Sequence, residues 1–166
     1  RAVLRVVLEP GGAASVTVRP VGPPSAPTAL TVRRRPSGSW RHKWADRSWT
    51  SADALYLADD GTVLETERGN LFLIEPDGTL VTPPLRDDLL PGVTRRAVLD
   101  LALDTGRPAR LRPFDLAELR ARPAFWTSSL SGAVPVTAVD GAALPRADEL
   151  VAEIAARLLG GDSADR

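Results

Sequence analysis

Lys43 is the single lysine among 21 basic residues, and it stands beside His42, the single histidine, in SWRHKWADRSW, residues 39–49. Arginine supplies every other positive side chain. A guanidinium keeps its proton, whereas an amine drawn out of water can release it and attack a carbonyl carbon to form a Schiff base. A composition rich in Ala, Arg, Leu, Gly, Pro and Asp thins lysine everywhere, so composition alone also accounts for a lone survivor. Three other stretches carry reactive or binding groups. In ETERGNLF, residues 65–72, Glu65 follows Leu64 and precedes a Gly-Asn turn; a carboxylate there is either solvated or buried against a partner. In LLPGVTRR, residues 89–96, Pro-Gly leads into a helix whose first turn holds Val93 and Thr94. Such a turn offers N–H groups and the positive dipole end to an anion, or it is simply capped by Thr94. Arg95 and Arg96 would then reinforce an anion or face water. In FWTSSLSGAVPV, residues 125–136, four hydroxyl residues lie between two apolar runs, and hydroxyl and N–H groups suit phosphate oxygens.

The elements that must position these groups are legible as alternating runs and punctuation. Residues 1–19 read as a hairpin around Pro-Gly-Gly, and PVGPPSAPTA follows as a linker. LTVRRR opens another strand; DALYLAD ends in Asp59-Asp60-Gly61, TVLET begins the next strand, and NLFLIEP is closed by Asp77-Gly78. Val98, Leu99 and Ala102 recur at helical spacing after Thr94, with Gly106 as the stop. A short helix opens at Asp115, AFWTSSLSGAVPVTAVDG reads strand, loop, strand, and ADELVAEIAARLLGG is a terminal amphipathic helix. Many strands, few helices and no βαβ rhythm predict an α+β architecture.

Composition excludes several classes. Acidic and basic residues balance at 21 each, so no broad basic surface for nucleic acid is expected, and the run Arg33–Arg35 with Arg41 stays local. Without cysteine there is no disulfide or thiolate metal site, and one histidine cannot make an imidazole cluster, so no metal is expected. No apolar run reaches the ~18 residues of a membrane span, and no signal peptide is visible. The expected setting is therefore cytoplasmic, with no membrane partner. The absence of methionine, even at position 1, leads to the expectation that these 166 residues are a piece of a longer product.

Taken in order, HKWADR, VLETERGNLFLI, LVTPPL, LLPGVTRRAVL and WTSSLSGAVPVTAVDG span about residues 40–141. This ordered set resembles the class IV pyridoxal-phosphate enzymes, the family of branched-chain and D-amino-acid aminotransferases and aminodeoxychorismate lyase, and HKWADR is most similar to the lyase-like branch. The resemblance implies a class IV large domain at residues 31–160, the last strands of a truncated smaller domain at 1–20, a linker at 21–30 and a tail at 161–166. It implies pyridoxal 5'-phosphate as cofactor, with Lys43 holding it as a Schiff base and shuttling the proton. Glu65 would pair with the ring nitrogen, Leu90 would lie against the ring face, Val93 and Thr94 would bind the phosphate, and Ser129 with Leu130 would complete that phosphate site. The implied reaction is elimination of pyruvate from 4-amino-4-deoxychorismate to give 4-aminobenzoate. The alternatives are a class IV aminotransferase acting on branched-chain or D-amino acids, and a non-catalytic protein of the family fold. A small-molecule amino substrate and a homodimer are implied as partners. Three features depart from the family. Only 42 residues precede Lys43, so the usual phosphate-binding arginine has no counterpart here. The 22-residue step from Lys43 to Glu65 is short and leaves no room for the helix expected between Arg47 and Ala54. Ser48 stands where branched-chain transaminases carry a tyrosine.

Overall fold

Along β6 (Asn70–Ile74), Leu71 and Leu73 enter one apolar cluster while Phe72 and Ile74 enter another, the alternation that a strand imposes. The computed structural model of the chain, which describes residues 2–22, 25–35, 40–46, 48 and 50–160, builds two layers from that alternation. The elements are β1 (Ala2–Leu8), β2 (Ala14–Pro20), β3 (Thr28–Arg34), β4 (Ala54–Leu57), β5 (Val63–Thr66), β6, β7 (Leu80–Thr82), α1 (Val93–Asp104), β8 (Ala109–Leu111), α2 (Leu116–Arg120), β9 (Ala124–Ser128), β10 (Gly132–Val139), β11 (Ala142–Ala143) and α3 (Asp148–Leu159).

Strand β3 pairs in parallel with both β10 and β4; β4, β5 and β6 follow antiparallel. Strand β9 is antiparallel to both β10 and β6, so the pairings close a ring β10–β3–β4–β5–β6–β9. Leu30, Leu55, Val63, Leu71, Trp126 and Val136, one from each strand of the ring, share a single buried cluster. Each large apolar side chain buried in this way contributes about 1.5–3 kcal/mol. Helices α1 and α3 cover the other face, where Val98, Ala102, Val151 and Ile154 pack with Phe72 and Phe125. Those two phenylalanines are cross-strand neighbours with rings 5.0 Å apart and nearly parallel.

The punctuation has the expected chemistry. Asp60 Oδ1 accepts from the Thr62 N–H and Asp77 Oδ1 from the Thr79 N–H, each at 2.9 Å, and these bonds hold both carboxyls below the usual range. The glycines that follow these acids, Gly61 and Gly78, both have φ of 83°, a left-handed conformation that a Cβ disfavours. Asp115 caps α2, its Oδ1 accepting from the Glu118 N–H at 2.7 Å.

Two features depart from the sequence reading. Strands β7 and β8 are parallel neighbours joined through α1, a βαβ crossover inside the otherwise antiparallel-rich sheet. Each has three residues, too few to show a period in sequence. Helix α1 starts at Val93 with Gly92 as its cap residue, so Thr94 is its second residue and not its cap. The β1–β2 ribbon forms a separate two-stranded sheet, with Leu4, Val6, Leu8, Val16 and Val18 exposed. Among the described residues, no helix is long and apolar enough to cross a membrane.

Candidate functional site

Glu65 lies at the end of β5, directly opposite Asn70 on β6, and Asn70 in turn lies opposite Thr127 on β9. These three buried polar residues make a row across one end of the ring. The turn that joins Glu65 to Asn70 is closed by the Thr66 N–H to the Gly69 carbonyl at 2.9 Å, and Thr66 Oγ1 accepts from the N–H groups of Arg68 and Gly69. Gly69 presses so closely on β9 that a Cβ there would sit 1.7 Å from the Thr127 carbonyl oxygen.

Asn70 then joins Glu65 to the loop before α1. Its Nδ2 donates to Glu65 Oε2 at 2.9 Å and to the Leu90 carbonyl at 2.8 Å, while the Leu90 N–H reaches Glu65 Oε1 at 3.3 Å. Gly92 allows this approach, because a Cβ at that position would meet Asn70 Oδ1 at 2.0 Å. From the other side Arg35, just past β3, donates Nη2 to Glu65 Oε1 at 2.9 Å and Nη1 to the Asp88 carbonyl at 2.7 Å. Both side chains of this ion pair are 6% exposed. The Arg35 guanidinium lies 4.3 Å from the ring centre of Tyr56 and 4.9 Å from that of Trp40. Burial pushes the Tyr56 hydroxyl up to about 12, and that hydroxyl donates to Glu67 Oε2 at 2.8 Å and also bonds Thr50 Oγ1.

A shallow, open cleft brings Lys43, His42, Glu65, Leu90, Arg35 and Arg68 together. Lys43 sits on a loop tied down by the Trp40 N–H to the Asp87 carbonyl at 3.1 Å, and the lysine itself is exposed. The desolvation that would make it a nucleophile therefore has to come from whatever fills the cleft. Three of the sequence candidates, Lys43, Glu65 and Leu90, line this one cleft; Val93, Thr94, Ser129 and Leu130 do not. Val93 is 77% exposed and Thr94 half-buried in the first turn of α1, which carries no side-chain cap and no acidic residue. Ser129 and Leu130 are exposed in the turn between β9 and β10. Of that hydroxyl loop, Thr127 and Ser131 are buried, and Ser131 Oγ hydrogen-bonds with Ser25 Oγ at 2.9 Å.

The arginines after Thr94 have structural work. Arg95 is buried and donates to the Pro83 carbonyl at 2.8 Å and to Thr82 Oγ1 at 3.4 Å, tying α1 to the end of β7; burial lowers its pKa. Arg96 is exposed and pairs with Asp100 one turn on. Sequence reasoning missed two residues of the site. Asn70 stood within a quoted motif without a role, and Arg35 was counted as part of a basic run, where nothing local distinguishes it from Arg33 and Arg34.

Comparison with known proteins places this geometry in context. Residues 9–139 match the family described as Amino-transferase class IV. The Arabidopsis thaliana protein named branched-chain-amino-acid aminotransferase-like protein 2 is 34% identical over 90 residues, which cover 54% of this chain and 16% of that protein. A hypothetical aminotransferase from Mycobacterium tuberculosis in its PLP-bound form superposes with a TM-score of 0.58 at 29% identity, over 63% of this chain and 38% of that one. Its apo form superposes with a TM-score of 0.76 at 22% identity, over 97% of this chain and 69% of the other, a likeness of fold. The chain spans well under two thirds of the length of the curated relatives it matches, 16% in the Arabidopsis case.

Proposed function

Because the chain belongs to the class IV aminotransferases, a family of pyridoxal-phosphate enzymes, we propose that it forms the cofactor-binding part of a transaminase acting on branched-chain amino acids. The observation that carries this reading is the meeting of Lys43, Glu65 and Leu90 in one cleft. The names of the relatives favour transamination over the pyruvate elimination suggested by HKWADR.

The residues present fit the cofactor. Lys43 is the one amine that can bond its aldehyde carbon. Glu65 is a buried carboxylate whose ionised form is stabilised by Arg35, Asn70 and the Leu90 N–H, so it can accept from a protonated ring nitrogen. Leu90 supplies an apolar surface for a ring face. Beyond the cleft lining, the first turn of α1, with Val93 and Thr94 and no side-chain cap, would offer N–H groups and a hydroxyl to the phosphate, and Ser129 with the Leu130 backbone would add to that set. When bound, the cofactor supplies an electron sink for the carbanion left by α-proton removal.

The chain's own groups would then divide the work. Lys43 Nζ takes the α-proton and returns it elsewhere, which needs a neutral amine in a closed cleft. Glu65 would hold the proton on the ring nitrogen of a bound cofactor. The Asn70 bridge keeps Glu65 and the Leu90 loop in register, so that ring nitrogen and ring face are met together. A smaller domain that includes the β1–β2 ribbon, and a homodimeric assembly, belong to this reading.

The test is borohydride reduction of the protein in the presence of pyridoxal phosphate, followed by peptide mapping. The label is expected on Lys43 and is lost in Lys43→Ala. A branched-chain amino acid with a 2-oxo acid acceptor should then exchange its amino group. Conversion of 4-amino-4-deoxychorismate instead would make the protein a lyase, and no label at all would end the enzyme reading.

A further inference from the structure

The pairing of Arg35 with Glu65 has a use beyond stability. A carboxylate whose side chain is 6% exposed tends to take up a proton and become a neutral acid. As a neutral acid Glu65 would present an O–H and lose its value as acceptor for a protonated ring nitrogen. Arg35 opposes this by geometry. Its guanidinium reaches Glu65 Oε1 at 2.9 Å and is held by the Asp88 carbonyl and the faces of Tyr56 and Trp40. We propose that Arg35 is a positioning residue that keeps Glu65 ionised and aimed into the cleft, acting on the cofactor only through that carboxylate. For its cofactor arm the proposal rests on the function proposed above.

Among the described residues, the charged or titratable groups near Glu65 include Tyr56 on β4, Glu67 and Arg68 in the turn after β5, and His42 and Lys43 across the cleft.

Arg35→Met, Arg35→Lys and the double variant Arg35→Met/Glu65→Gln test the proposal. In the cofactor-free protein, urea unfolding is followed from about pH 5 to about pH 9. Arg35→Met is expected to lose stability relative to wild type as pH rises, since Glu65 must ionise without its partner, and the Glu65→Gln change should remove that pH dependence. Pyridoxal phosphate affinity, followed by cofactor absorbance, is expected to fall about tenfold or more in Arg35→Met and less in Arg35→Lys. A pH-independent loss in Arg35→Met would make Arg35 a packing residue only and overturn the proposal. Unchanged or tighter cofactor binding by a folded Arg35→Met would overturn it as well. If Arg35→Met does not fold, Arg35→Lys decides: its charge is kept, so an affinity equal to that of Arg35→Met/Glu65→Gln would overturn the proposal. Failure of the wild type to bind cofactor would sink the proposed function and leave the pH series to judge Arg35 alone.

Discussion

Replacing Asn70 tests whether the bridge across the site holds the fold as well as the chemistry. Asn70 is 3% exposed and its Nδ2 makes both of its bonds inside the protein. The bond to the Glu65 carboxylate is worth about 1.5–3 kcal/mol and that to the Leu90 carbonyl about 0.5–1.5 kcal/mol. Asn70→Ala should therefore cost about 2–4 kcal/mol, which for a chain of this size lowers Tm by roughly 5–15 °C. Asn70→Asp keeps the shape but sets a second carboxyl against Glu65, and the two would share a proton. The folded pKa of that pair lies above the value of about 4 expected in an unfolded chain. Stability of Asn70→Asp relative to wild type is thus present in full below about pH 4 and drains away as pH rises toward the folded value. Thermal melts of the three proteins across pH supply the measurement. An Asn70→Ala melt within a degree or so of wild type, or an Asn70→Asp deficit that ignores pH, would refute the bridging role.

Two further outcomes are expected. Gly92→Ala places a Cβ 2.0 Å from Asn70 Oδ1, so the side chain or the α1 start must shift; a loss of about 1–3 kcal/mol in urea unfolding is expected, with weaker phosphate retention. Tyr56, whose pKa is raised to about 12 chiefly by burial, stabilises the fold fully below the unfolded value of about 10. That contribution is lost as pH climbs from about 10 toward 12, and Tyr56→Phe should show no such decline in an alkaline stability titration.

Much of the molecule was legible before its structure. The Asp-Gly turns, the Asp115 cap and the helical spacing of Val98 and Ala102 are local signals, and local hydrogen bonds answer to them. Lys43, Glu65 and Leu90 were named from motif order and do line one cleft. The closure of the ring was not legible, because it rests on β9 choosing β6 and β10, and on β3 pairing in parallel with β10 far along the chain. No periodicity encodes a partner. The role of Arg35 was hidden for a related reason. Three consecutive arginines look alike in sequence, and only the end of β3 decides which one reaches Glu65. Arg95 was read as facing an anion or water, whereas packing of α1 on β7 buries it.

The parallel pairing of β3 with β10 also sets an order of events during synthesis. Thr28 finds its partner in Val136, so one edge of β3 has no strand to bind until nearly the whole described chain has been made. At about 5–20 residues per second, that interval is on the order of 5–20 s. Through it, β3 and the strands that follow can form only an open sheet with an unsatisfied edge, a ready template for a neighbouring nascent chain. Closure then waits on contacts of high sequence separation, which makes the last step slow whatever the final stability. Conditions that lengthen that interval, such as slowed translation, would act on yield and leave the melting temperature of the molecules that succeed unchanged.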